Sequence, residues 1–73
     1  MSKSIYSKEY KNVIGKLKKA RLKIGLKQED VARKLKKPQS YISKIERSER
    51  RVDITELKKI ADIYKKDIEF FIK

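Results

Sequence analysis

Apolar side chains recur at three- and four-residue steps along the first third of this chain, and this periodicity is its strongest constraint on the fold. The positions are Tyr10, Val13, Ile14, Leu17, Ala20 and Ile24. Such spacing puts them on one face of an α-helix. Ser7 is placed to cap the start of that helix, and Gly25 is placed to end it in a left-handed conformation. Gly15 lies inside the helix and suggests close backbone packing there.

The rest of the chain divides into shorter helical segments. A second helix is predicted over residues 28–35, and a third from about Pro38 or Gln39 to Glu46 or Arg47. Asp53 caps a fourth, and Asp67 begins a short final turn. The predicted inward positions are Val31, Ala32, Leu35, Ile42, Ile45, Ile54, Leu57, Ile60, Ala61 and Tyr64. The pattern predicts an all-α fold: a compact bundle of five short helices forming one domain over residues 1–73.

Positive charge is concentrated in the first two thirds of the chain. Lys and Arg total 22 against 10 Asp and Glu, a net charge of +12. The net charge is +8 for residues 1–27, +4 for residues 28–52 and zero for residues 53–73. Because self-repulsion opposes compactness, a polyanionic partner explains this excess best. Nucleic acid is the first candidate, an anionic membrane the second, and a merely solvated Lys-rich surface the third.

The composition argues against several classes of protein. The chain has no Cys and no His, so neither a disulfide, a metal site nor a cofactor is expected. His is the commonest general base, and a core this small has little room for a catalytic pocket, so we do not expect an enzyme. No apolar run approaches the roughly 20 residues that cross a bilayer, and residues 1–6 do not form a signal peptide. A cytoplasmic protein without membrane contact or small-molecule ligand is expected.

Four segments carry a family resemblance. They are residues 17–21 (LKKAR), 25–32 (GLKQEDVA), 39–47 (QSYISKIER) and 57–61 (LKKIA), in that order. Two short helices joined by a tight turn in a basic chain already suggest a helix-turn-helix. These segments closely resemble the phage Cro/C1-repressor-type helix-turn-helix family, also called the Xre family. The resemblance spans roughly residues 7–71 and implies a lambda-repressor-like domain that binds double-stranded DNA.

The resemblance also implies roles for individual polar residues. Gln39, Ser40 and Lys44 match positions of the recognition helix that face base edges; Gln can pair with adenine, and Lys can reach guanine O6 and N7. Gln28 matches the glutamine that binds a phosphate at the start of the second helix. Phosphate contacts are also expected from Lys27, Tyr41, Ser43 and Arg47. Tyr41 and Ser43 could contact thymine methyl groups instead.

One pair of charged residues is implied to be structural. Arg21 lies within the apolar stripe of the first helix, which requires a partner. In the family that this chain resembles, the matching arginine forms a salt bridge with a glutamate at the end of the recognition helix, here Glu46. That pair would tie the two helices together.

The chain departs from the family pattern at the helix ends. The turn reads Lys36, Lys37 and Pro38, where the family usually has Gly, a small apolar residue and a Ser or Thr cap. Lys36 must therefore take a left-handed conformation, or the turn must change. Lys27 replaces the usual Ser or Thr cap of the second helix, and Ser48 replaces the common Gly after the third.

The C-terminal aromatic cluster has two interpretations. Phe70, Phe71 and Ile72 could cap the small core. The favoured alternative is a self-complementary dimer patch, since proteins that read DNA half-sites usually pair about a two-fold axis. Residues 53–73 would then supply both core and dimer contacts, and the first three helices would face DNA.

These features favour a sequence-specific transcriptional regulator, a repressor or autoregulator that acts as a homodimer on a palindromic operator. The alternative is a protein-interaction module, such as an antitoxin that holds a toxin and binds its own operator. A nonspecific binder of nucleic acid or membranes is a further class. Preference for one operator over random DNA by at least about 10³-fold would exclude that class.

Overall fold

Five helices make up the computed structural model, which describes residues 8–72. They are α1 (Lys8–Lys23), α2 (Gln28–Leu35), α3 (Gln39–Glu46), α4 (Ile54–Ile63) and α5 (Ile68–Ile72). No β-strand occurs between Lys8 and Ile72. The predicted all-α architecture and the order of its five helices are confirmed. Ser7, the predicted cap of α1, lies outside the described residues.

The buried side chains come from every helix and form one core. They are Ile14, Leu17, Ala20, Val31, Ala32, Tyr41, Ile42, Ile45, Leu57, Ile60, Ala61, Tyr64 and Phe71. Most of them lie on the faces that the spacing predicted. Ile24 and Ile54 are exceptions, because Ile54 is 63% exposed at the start of α4, and Ile24 lies beyond the end of α1. At both places the helix supplies too little neighbouring structure to cover the side chain.

The recognition-helix candidate α3 lies against both earlier helices. It packs on α1 and α2, while α4 packs on α2 and α5 bridges α1 and α4. The loop after α3 is held by Tyr10 of α1, whose hydroxyl donates to the Arg50 carbonyl and accepts from the Val52 N–H, both at 3.2 Å. One face of α3 is thereby buried, and the opposite face is left to solvent.

The ends of α1, α2, α3 and α4 share one backbone motif. In each, a residue one or two positions past the helix takes a left-handed conformation: Gly25 (φ 78°), Lys36 (φ 60°), Ser48 (φ 61°) and Lys65 (φ 60°). The next N–H bonds to a carbonyl five residues earlier, as in Lys37 N–H to Ala32 O at 2.9 Å. This pairing satisfies carbonyls that a helix end leaves free. The left-handed alternative predicted for Lys36 is therefore the one that occurs, without glycine.

Gly15 does not pack against anything. It is exposed, and a Cβ atom added there would meet no atom within 4 Å apart from the neighbouring backbone of its own helix. The expectation of close backbone packing at this position is wrong. Within residues 8–72, nothing explains a glycine there, since the helix would be more stable with alanine.

The starts of α2 and α4 are capped differently. The Asp53 carboxylate accepts the Glu56 N–H at 2.8 Å, so the predicted cap of α4 is confirmed. Lys27 precedes α2 and offers no side-chain acceptor; instead the Asp30 carboxylate accepts the Lys27 N–H at 2.9 Å. That bond lowers the pKa of Asp30 below its ordinary value. This is one of the two hydrogen bonds of a capping box, so α2 keeps half of that motif.

We expect Lys36→Gly to stabilise the fold by about 1 kcal/mol, because glycine adopts a left-handed conformation without the steric cost that a Cβ carries. Lys37→Gly is the matched control. It removes the same charge one residue later, outside the left-handed position, and should not stabilise. Denaturant unfolding of both variants measures the difference, and an equal effect of the two substitutions would contradict the role of backbone conformation at Lys36.

Candidate nucleic-acid interface

The outward face of α3 is polar and basic. Gln39, Ser40, Lys44 and Arg47 are exposed, and Ser43 is half-buried. Steps of three and four residues align them along one side of the helix and its end. Four of the five are exposed polar side chains, and two of these are cations. The surface has the residue types that read base edges and bind phosphates.

Tyr41 lies on the opposite face of α3. It is 7% exposed and packs in the core beside Ile42 and Ile45. Two cations lie over its ring, with Arg50 at 4.7 Å and Lys37 at 5.3 Å from the ring centroid. Burial, with the Glu56 carboxylate nearby, raises the pKa of Tyr41 to about 12. A DNA contact from Tyr41, expected from the resemblance, does not fit this burial, and the residue is structural.

The Glu46 carboxylate joins three helices. One oxygen accepts Arg21 Nε at 2.7 Å; the other accepts Arg21 Nη2 at 3.0 Å and Gln28 Nε2 at 2.9 Å. Arg21 Nη1 also donates to the Leu26 carbonyl at 2.9 Å. The two charged side chains are 8% and 4% exposed, and the bond to Glu46 raises the pKa of Arg21. The structure thus brings together the pair that the resemblance implied and adds Gln28 to it.

Gln28 has a structural partner that the sequence did not indicate. Its amide nitrogen bonds to Glu46 across the α2–α3 contact, and the residue is half-buried at the first position of α2. A carboxamide nitrogen carries two N–H donors, so one remains after this bond. The internal bond therefore orients the side chain without consuming all of its donors.

Arg47 and Ser43 contact each other and an acid. Arg47 Nη1 donates to Ser43 Oγ at 2.6 Å, while Nε and Nη2 donate to the two oxygens of Glu49 at 3.1 and 3.0 Å. The carboxylate raises the pKa of Arg47, and the arginine lowers that of Glu49. The Arg47 and Glu49 side chains are 57% and 53% exposed. Such a pair contributes at most about 1 kcal/mol.

The two helix starts near this face differ in charge. The first turn of α2 carries Glu29 and Asp30. The first turn of α3 carries no acidic residue, and its cap position, Pro38, makes no side-chain hydrogen bond. The N–H groups and positive dipole end of α3 are thus the more favourable site for an anion.

The three C-terminal residues predicted as a dimer patch have different environments. Phe70 and Ile72 are 46% and 54% exposed, but Phe71 is 1% exposed and belongs to the core. The rings of Phe70 and Phe71 meet edge to face, with centroids 5.1 Å apart. Phe71 cannot contact a second copy while it is buried, so any patch is reduced to Phe70 and Ile72.

Residues 8–72 contain no group of side chains that could hold a metal ion. None of the helices from α1 to α5 has the length and apolar character needed to cross a bilayer.

We expect Glu46→Ala to destabilise the fold by about 3–5 kcal/mol, because it leaves the Arg21 guanidinium buried and unpaired. Glu49→Ala is the control: it removes an acid from an exposed pair and should cost no more than about 1 kcal/mol. Thermal and denaturant unfolding measure both. Equal melting temperatures would show that the buried pair does not hold the helices together.

Comparison with known proteins agrees with this geometry. A family model described as helix-turn-helix, of the Cro/C1 type, matches residues 17–71, which includes α2 through most of α5 and the second half of α1. No curated protein and no solved structure matches the chain. The match covers more than half of the sequence and contains α2, α3 and the Arg21–Glu46 pair. The chain belongs to the Cro/C1-type helix-turn-helix family of DNA-binding transcription regulators.

Proposed function

We propose that this protein is a sequence-specific repressor or autoregulator that binds a palindromic operator as a homodimer in the cytoplasm. The observation that carries the proposal is the outward face of α3. Its polar and basic side chains are exposed while the other face is fixed in the core. A helix held in this way can enter the major groove, which is wide enough to admit it.

Base reading is assigned to Gln39, Ser40 and Lys44. All three are exposed, and they lie within the first six residues of α3. Gln39 is suited to the N6 and N7 edge of adenine, and Lys44 to the O6 and N7 edge of guanine. Ser40 can donate or accept, so it adds contact with little preference for one base.

Phosphate binding is assigned to Gln28, Lys27, Ser43 and Arg47. The second amide N–H of Gln28 is directed by its bond to Glu46, and Lys27 is exposed immediately before it. Arg47 would exchange the Glu49 carboxylate for a phosphate. That exchange costs little free energy, because the Arg47–Glu49 pair is exposed and a phosphate offers the same bidentate geometry.

The start of α3 supports the same orientation on DNA. Its first-turn N–H groups and dipole favour a phosphate, and the turn before it adds Lys36 and Lys37, both exposed. The N-terminal end of the recognition helix would therefore lie close to the DNA backbone. This is the end that carries Gln39 and Ser40.

The homodimer is proposed to form through Phe70 and Ile72 of α5. Both are large apolar side chains that are about half exposed, and they flank the buried Phe71 on either side of one short helix. The net charge of +12 per chain opposes pairing in free solution, and DNA phosphates reduce that repulsion. Pairing should therefore be strongest on the operator.

Selection of bound sites from random double-stranded DNA tests sequence preference directly. We expect enrichment of a palindrome, and we expect Gln39→Ala to lose about 1–3 kcal/mol of binding free energy at one base position of each half-site. Lys27→Ala is the control for backbone contact. It should weaken all sequences alike and reduce the slope of log affinity against log salt by about one unit. If Gln39→Ala left affinity and preference unchanged, α3 would not be the reading helix.

Ile72→Asp should abolish pairing, because it places a charge in the apolar contact. The matched control is Ile54→Asp, which alters another exposed isoleucine, at the start of α4. Sedimentation with and without the selected operator measures the assembly. Ile72→Asp should bind a full palindrome no more tightly than a half-site, while Ile54→Asp behaves like the parent. Equal behaviour of the two variants would locate the dimer contact elsewhere.

A further inference from the structure

A groove runs between α1 and α5, away from α3. Its floor contains Ala20 and the exposed part of Phe70, and four lysines surround it: Lys16, Lys19, Lys23 and Lys66. The cavity has a volume of about 280 Å³. We call these six residues the lysine groove. Its size suits one or two side chains of another molecule.

The lysine groove and the DNA-reading face lie on different sides of α1. Successive residues of an α-helix are rotated by about 100° around its axis. Around the axis of α1, Arg21 therefore points roughly 150° away from the mean direction of the α1 residues in the groove. Arg21 points to the end of α3. Arg21 bonds to Glu46 on that other side. A protein bound to DNA through α3 would therefore keep its lysine groove accessible.

The groove combines a cationic rim with an apolar floor. Lys66 Nζ lies 4.7 Å from the centroid of Phe70, which places a cation over one face of the ring. Phe71 approaches the same ring edge to face. The exposed remainder of Phe70 therefore suits an apolar side chain better than a stacked nucleotide base, which needs an open ring face. The methylene stems of the lysines extend the apolar wall.

We infer that the lysine groove binds an acidic segment of a partner protein, with an apolar side chain of that segment seated on Ala20 and Phe70. The rim contains lysines and no arginine, and separate ammonium groups suit separate carboxylates, whereas arginine is favoured for bidentate phosphate contacts. A second copy of this chain is a poorer occupant because it brings a net charge of +12. The inference does not depend on the proposed operator binding.

One residue is common to this groove and to the proposed dimer patch. Phe70 belongs to both, whereas Ile72 does not line the groove and Lys19 does not belong to the patch. An acidic occupant would therefore compete with pairing at Phe70. Substitutions at Lys19 and Ile72 separate the two proposals.

The test is an NMR titration of the full chain, labelled with nitrogen-15. The probe is a short peptide of Asp and Glu residues with two leucines one helical turn apart. We expect the amide signals around Ala20 and Phe70 to shift, with little change in α3. The same peptide with serine in place of leucine should bind at least about tenfold more weakly, because the apolar contact is lost.

Charge reversal on one helix provides the matched variants. Lys19→Glu should weaken the peptide about fivefold, whereas Lys18→Glu, an equal change outside the groove, should have a smaller effect. Operator affinity should fall no more for Lys19→Glu than for Lys18→Glu, because Lys18 lies on the Arg21 side of α1. Phe70→Ala should reduce binding at least as much as the serine peptide does, with its fold checked by the spectrum of the free protein.

Three results would overturn the inference. Equal weakening by Lys19→Glu and Lys18→Glu would reveal diffuse attraction to a basic surface. Equal affinity for the leucine and serine peptides would show that no apolar side chain binds on Ala20 and Phe70. Shifts around Ala20 and Phe70 with a single-stranded oligothymidylate, but not with the peptide, would make the groove a nucleic-acid site.

Discussion

The carboxylate of Glu46 is the group on which the arrangement of the first three helices depends. It lies at the end of α3 and accepts three hydrogen bonds, two from Arg21 of α1 and one from Gln28 of α2. A buried charge is stable only when it is paired and fully hydrogen-bonded. All three donors meet it only when α1, α2 and α3 are in one relative position. The exposed face of α3 is oriented by this requirement.

The turns between helices show a different compromise. Four helices end in the same left-handed motif, yet only Gly25 is a glycine, and Lys36, Ser48 and Lys65 each carry a steric cost. Glycine at Lys36 would favour stability but remove a cation from the turn that leads into α3. Positive charge beside a DNA-facing helix raises affinity for phosphates. At this turn the chain therefore keeps charge where backbone geometry alone would favour glycine.

The two faces of α1 combine charge with very different surroundings. On one side Arg21 is buried and bonded within the domain, so its charge is structural. On the other, Lys16, Lys19 and Lys23 surround an apolar floor. The net charge of +12 is therefore divided between structure, DNA attraction and a groove suited to acidic protein. The net charge alone could not distinguish these three roles, because it does not specify which neighbours each charged side chain has.

The sequence by itself determined the helices, most of the core and the family, since a repeat near 3.6 residues fixes which side chains share a face. Tyr41 was expected to contact DNA, although its four-residue step to the inward Ile45 is a signal for burial that the resemblance obscured. Only the tertiary structure decided that Phe71 is buried while Phe70 is exposed, and that Gln28 bonds to Glu46. These outcomes depend on which helix packs against a position, and contacts between distant segments leave no periodic signal along the chain.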